Sequence, residues 1–365
     1  MSDTSTNTAS RIDRLWSYHQ ADPSNISLLR DIAREGFATN APEHALKALD
    51  MLQASGQSDA NDEAAAIHLL TKLRKVDDAC ERARAARQAW PEDEAVRLEG
   101  GRALCNARLY EEALEWFNSA PFGEPALAQM AGELALQSLW RLERLEEAAE
   151  LGASLAAQWP ENPRILAVYS ALLYDLERSE EAFAAARQAY AISPAHAYDA
   201  LHVLASEQIL KGDLPGAMSL LDQAQVVRTD DGRVWLLRGS AKMAQGDMDG
   251  AVPDLQKALE IYPDHPGSHL TLAWLHISQN RLDEAEASVR NAITASPAFA
   301  ESHGTLAVVL AMKGQKDEAQ QSIRRANLLD KSGFAGRYAQ TLLDGTAPQQ
   351  VTELFKEVMK RTGVK

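Results

Sequence analysis

Small apolar residues return along this chain at a nearly constant interval, with polar residues between them. The most regular stretch is 232–331. There Gly239, Ala273 and Ala307, then Ala251, Ala285 and Ala319, then Ala258, Ala292 and Ala326 each step by 34. Extended upstream, the middle ladder runs through Ala45, Ala79, Ala113, Ala148, Ala182 and Ala217 to Ala251, Ala285 and Ala319, in steps of 34 or 35. A second ladder, Pro23, Pro91, Pro125, Pro160, Pro194, Pro263 and Pro297, keeps the same interval, with Gln57, Thr229 and Lys331 at its missing rungs. Two ladders in step predict nine helix–turn–helix units. One unit, 94–125, shows the physics. Gly101 sits inside a first helix, where it costs about 1 kcal/mol against alanine, a cost accepted where another helix must come close. Ala113 and Ala120 share a face of the second helix, Phe117 fills the seam, and Pro125 cannot continue a helix interior.

Charge sharpens this picture. The net charge is −15, which excludes a nucleic-acid backbone as the expected partner, since that would demand a basic face. Much of the acidity is architectural. Asp77-Asp78, Glu111-Glu112, Glu146-Glu147, Glu180-Glu181, Asp283-Glu284 and Asp317-Glu318 each stand just before a ladder alanine. A second helix should begin there, and carboxylates favour the positive end of a helix dipole. Aromatic content of 6% within 45% hydrophobic residues suits closely packed helices better than sheets. Two cysteines, Cys80 and Cys105, make neither a disulfide framework nor a zinc spacing, and point to a reducing compartment. The polar start MSDTSTNTAS lacks an apolar signal region, and no apolar run would span a bilayer, so the expectation is a cytoplasmic protein.

The small residue, the alanine pair, the aromatic and the closing proline at this period resemble the tetratricopeptide repeat (TPR) family. Trp235 and Gly239 fill that family's tryptophan and glycine positions in the seventh unit. The resemblance implies an all-α, right-handed superhelical solenoid whose first helices line a groove. Units two and four depart from it, with Ile67 and Leu136 where the small residue belongs. An extra residue in the turn of unit four would instead place Ala135 there, and the sequence leaves both registers open. Pro253 lies within the second helix of unit seven, so that helix should start late or bend. The expected organisation is a tail at 1–9, a capping helix at 10–25 bearing Ile12, Leu15 and Trp16, and nine repeats at 26–331. Capping helices follow at 332–365, with Val351, Leu354, Phe355, Val358 and Met359 forming one stripe. Dimerisation or partner docking is the alternative role for that last stripe.

No phosphate loop, nucleophile elbow, zinc-protease or paired-cysteine motif occurs, so no catalytic residue, cofactor or metal site is expected. His269 and His303 occupy the slot that Trp235 fills and read as ring spacers, not ligands. His265 and His269 are four apart, but Pro266 and Gly267 should interrupt a helix between them. Family analogy puts groove positions at the second, fifth, ninth, twelfth and thirteenth residues of each unit. In the first half these are Arg30, Arg34, Phe37, His68, Lys72, Arg102, Trp140, Arg141, Arg164 and Tyr174. In the second half they are Leu210, Leu236, Met243, Leu270, Trp274 and Ile277, with Arg233 nearly alone in charge. Arginines beside aromatics suit an acidic peptide, through charge-assisted hydrogen bonds and hot-spot area. The family's two-carboxylate clamp is absent, since Ala64, Leu98 and Glu133 follow Arg30 at the fifth position. The expected function is a non-catalytic scaffold or adaptor that binds a partner's peptide or helix. The alternatives are a regulatory sensor whose superhelix changes pitch, or an accessory subunit of a larger enzyme or envelope-assembly complex.

Overall fold

The computed structural model describes residues 10–346. Among them every extended regular element is an α-helix, with one short 3₁₀ turn at Pro194–His196. The helices form two compact bodies divided after Pro160. The first holds α1 (Arg11–Ala21) and four hairpins: α2 (Ile26–Ala38) with α3 (Pro42–Ala54), α4 (Ala60–Lys72) with α5 (Val76–Ala89), α6 (Glu94–Asn106) with α7 (Tyr110–Asn118), and α8 (Pro125–Arg141) with α9 (Leu145–Gln158). The second body begins with α10 (Pro163–Asp175) paired to α11 (Ser179–Ile192), then α12 (Tyr198–Lys211) to α13 (Leu214–Val227), and α14 (Gly232–Gln245) to α15 (Met248–Ile261). It ends with α16 (Pro266–Ser278) paired to α17 (Leu282–Ala295), α18 (Ala300–Met312) to α19 (Lys316–Leu329), and α20 (Phe334–Leu343) laid on α18 and α19. Tail residues 1–9 and the stripe from Val351 to Met359 lie outside the described residues.

The turns repeat as strictly as the alanines. Asn40, Arg74, Arg108, Glu143, Glu177, Gly212, Gly246, Asn280 and Gly314 have positive φ, between 53° and 88°, and each stands five residues before a ladder alanine. Around Asn40 the backbone shows the cause: its N–H reaches the Phe37 carbonyl, and the Ala41 N–H reaches back to that of Gly36 at 2.7 Å. This is a Schellman closure, which satisfies the carbonyls that a helix end leaves open. Six of the nine turns place a side-chain-bearing residue in this left-handed region, which chains visit as single residues when the closing bonds compensate. Because turn and alanine keep one spacing, unit four has no extra residue in its turn. Leu136 therefore occupies the small-residue position, fully buried, and Ala135 does not.

The packing shows how that is tolerated. All nine ladder alanines are fully buried. A Cβ on Gly101 would lie 2.3 Å from the Phe117 ring, and one on Gly239 would lie 2.6 Å from Leu255. Those partners stand four residues after the ladder alanine. At that offset unit two carries Ala83 opposite Ile67, and unit four carries Gly152 opposite Leu136. These four seams each hold one large and one small residue, with either helix supplying the large one, whereas the fifth unit has two small residues there, Ser170 and Ala186.

Two local expectations change. The helix containing Pro253 starts at Met248, two residues after its turn as in every other hairpin, so it does not start late. Asp247 caps it by accepting the Gly250 N–H at 2.9 Å. Pro266 does not interrupt a helix but opens α16, and His265 is the cap, its Nδ1 accepting the Ser268 N–H. The histidines in the tryptophan slot are bonded as well as packed. Trp235 Nε1, His269 Nε2 and His303 Nε2 donate to the carbonyls of Thr229, Pro263 and Pro297, always six residues back. An imidazole N–H here replaces the indole N–H.

Candidate functional site

The first helices of the first body bring together Arg30, Arg34 and Phe37 on α2, His68 and Lys72 on α4, and Arg102 on α6. Most of the cations arrive already partnered. Arg30 grips Asp62 with Nε and a terminal nitrogen, the shorter bond being 2.8 Å, and also touches Asp59 at 3.1 Å. The hydrogen bond to Asp62 pushes the Arg30 pKa up against the opposing effect of burial. Asp62 is held in turn by a capping box with Asp59 at the start of α4. His68 Nδ1 donates to Glu99 Oε2 at 3.1 Å, and Arg102 Nε reaches the same oxygen at 3.2 Å. Arg34 pairs with Asp31 one turn away, and Lys72 donates to Asn40 Oδ1 at 3.1 Å.

Depth orders these charges. In all but one pair the carboxylate lies deeper than its basic partner: Asp62 is 10% exposed against 39% for Arg30, and Glu99 is 14% exposed against 44% for His68 and 25% for Arg102, whereas Asp59, at 54%, is more exposed than Arg30. Arg34 is 78% exposed over Asp31 at 45%. Sequence reasoning found the cations and missed the acids beneath them. The available signal was the spacing, since Asp62 and Glu99 follow Arg30 and His68 by 32 and 31 residues, roughly one repeat.

Aromatics border the strip. Phe37 is 43% exposed and its ring lies 6.3 Å from that of His68. At the end of α8 the Arg141 guanidinium sits 6.0 Å from the Trp140 ring. Cys105 approaches Ser138 Oγ at 3.3 Å, and burial pushes its thiol pKa up, the opposite of an activated nucleophile.

Arg164, Tyr174 and Trp274 belong to the second body. Arg164 is exposed on the first turn of α10. Tyr174 packs against Phe183 and edge-on against His202, and Trp274 packs half-buried against the cluster around Leu270 and Ala273. Half of the expected apolar groove is core: Met243, Leu270 and Ile277 are at most 7% exposed, while Leu236 and Trp274 are half-buried and Leu210 is 39% exposed. The first three point into helix interfaces because α14 and α16 are each covered by neighbours on more than one side. Arg233 is not an isolated groove charge either, since it binds Asp231 at 2.7 Å and stands 3.6 Å from Asp199.

That ion pair adjoins a buried histidine. His202 is 5% exposed and its Nε2 finds no hydrogen-bond partner. Burial, reinforced by Arg233 and opposed by Asp231, pushes its pKa down to about 3. Burial opposes ionisation of Asp231 too, but the bonds and charge of Arg233 outweigh it and hold the carboxyl below its usual range. Both groups act in one direction. The unfolded chain binds protons below pH 6.5 that the fold refuses, so stability falls as pH drops. The His202 share of the slope is about 1.4 kcal/mol per pH unit, or about 2 kcal/mol between pH 6.5 and 5. His202→Phe should remove that share, and urea unfolding over a pH series would show a shallower acid limb than the parent.

Among the described residues no helix is long and apolar enough to cross a membrane, and no three His, Cys, Asp or Glu side chains cluster as metal ligands. No curated protein matches the chain in sequence. Among solved structures, a human IFIT1 dimer with PPP-AAAA matches at a TM-score of 0.54 and 15% identity, over 96% of this chain and 86% of its own. YrrB, a TPR protein with an unusual peptide-binding site, matches at 0.36 and 18% identity over 53% of this chain and 99% of its own. MamA matches at 0.36 and 19% identity, over 44% and 92%. Family models described as tetratricopeptide repeat match residues 64–128, 242–290 and 270–327. Those matches fall on the ladders and hairpins described above, so the chain carries tetratricopeptide repeats within 64–128 and 242–327, and that fold supports protein-interaction scaffolds generally.

Proposed function

We propose that this chain is a non-catalytic scaffold that holds a carboxylate-bearing segment of a partner protein along the first helices of its first body. The observation that carries this reading is the layering of charge, with Asp62 and Glu99 beneath and Arg30, Arg34, His68 and Arg102 above. Buried acids orient the cations in advance, so less side-chain freedom is lost when a ligand arrives. The same acids reduce the net field, and each exposed contact is modest and screened by salt. Affinity would therefore accumulate over several residues of an extended or helical segment.

The test uses fluorescein-labelled peptides of matched length, rich in Asp and Glu or rich in Lys and Arg. Acidic peptides should bind more tightly, and raising ionic strength from about 0.05 to about 0.5 M should weaken them severalfold. Arg34→Glu with Lys72→Glu should cost about tenfold in affinity, or about 1.4 kcal/mol. Equal binding of acidic and basic peptides, or no response to the double reversal, would overturn the reading.

A further inference from the structure

We infer that the step between α2 and α4 anchors an aromatic side chain of the bound segment, with carboxylates on neighbouring residues held by Lys72 and Arg34. This rests on the peptide reading above and adds which side chain the strip selects. Within the first body, Phe37 is the large apolar side chain on a first helix that stands strongly exposed among the described residues. The others exposed in that body, Tyr18, Met51 and Leu109, lie on α1, on α3 and in a turn.

The surroundings of Phe37 are built. His68 lies beside it with ring planes tilted by 39°. Because Glu99 accepts the Nδ1 proton, the imidazole is held in one orientation. Lys72 lies one turn beyond His68 on α4, and its ammonium is fixed on Asn40, the left-handed residue that closes the hairpin following Phe37. Arg34 precedes Phe37 by one turn on α2 and is 78% exposed. Two held ring faces flanked by two ammonium or guanidinium groups match an aromatic residue with acidic neighbours. An incoming ring gains the offset or edge contacts of a third aromatic, which an aliphatic side chain of equal area does not. Charge complementarity sets the flanks: a lysine beside that ring would face both cations.

The test uses the full chain and acidic peptides identical except at one central residue, Trp, Phe, Leu or Ala, read by fluorescence anisotropy. The aromatic peptides should bind at least tenfold more tightly than the alanine peptide and severalfold more tightly than the leucine peptide. Phe37→Ala should erase that ranking while the alanine peptide binds unchanged. Phe37→Leu keeps apolar area without the ring, and should bring the Trp and Leu peptides level. Lys72→Glu should weaken every acidic peptide alike and leave the ranking intact. Phe37 is exposed, so thermal unfolding of its variants should match the parent and exclude misfolding. Equal affinities across the four central residues, or a ranking that survives Phe37→Ala, would overturn the anchor while the acidic-segment reading stood. Failure of every acidic peptide to bind the parent would overturn both.

Discussion

Gly101→Ile is expected to destabilise the third hairpin by about 3 kcal/mol, the upper part of the range for an overpacked core. Even a Cβ at that position would stand 2.3 Å from the Phe117 ring, and Phe117 is only 5% exposed, with little room to withdraw. Phe117→Ala alone should cost about 3–5 kcal/mol, through lost burial and the cavity left against Gly101. Together the two substitutions reproduce the pair that the second hairpin already uses, Ile67 opposite Ala83, both fully buried. The double variant should therefore be more stable than the sum of the singles implies, with a coupling of at least about 2 kcal/mol. Repeat proteins open locally, so the measurement should combine urea unfolding with hydrogen exchange at α6 and α7. If the losses simply add, size complementarity across the seam is not what lets Ile67 and Leu136 replace a small residue.

The same pair explains how far the sequence could be read. The ladder alanines were legible because a close helix crossing admits no larger side chain, so one residue reports the fold. The large and small partners were not, because the constraint falls on their sum and neither position shows it alone. Register in the fourth unit was undecided for a related reason: the step of 35 says that a residue was inserted without saying where, and only the left-handed Glu143 places the insertion outside the turn. The cations of the candidate strip were legible by position, while their partners depended on which side chain of the next repeat lies underneath. Asp62 and Glu99 convert a row of loose arginines into a layered surface. Met243, Leu270 and Ile277 were misplaced because groove positions carried over from a family assume an open side, and α14 and α16 are each covered by neighbours on more than one side.

The tryptophan slot also admits a charged side chain. In the second hairpin that slot holds Glu63, only 3% exposed, and a carboxylate there would be costly without compensation. Arg82 from α5 supplies it: Nε donates to Glu63 Oε2 at 2.8 Å and a terminal nitrogen to Oε1 at 3.2 Å, while Ser58 donates to Oε1 at 2.6 Å. Asp50 on α3 binds the remaining terminal nitrogen from the solvent side, 55% exposed. Burial alone would lower the Arg82 pKa, but Glu63 and then Asp50 outweigh it and raise it. Arg82→Ala should cost about 3–5 kcal/mol, because it strands Glu63 in the interior. Asp50→Ala should cost less than about 1 kcal/mol, because its exposed carboxylate is already solvated. Replacing Arg82 and Glu63 together with methionine removes both buried charges and keeps the volume, and should recover most of the loss. The order Arg82→Ala, then the double variant, then Asp50→Ala in increasing stability separates a desolvated pair from a surface one. An Arg82→Ala variant as stable as Asp50→Ala would mean that water reaches Glu63, and that the buried pair does not hold α4 against α5.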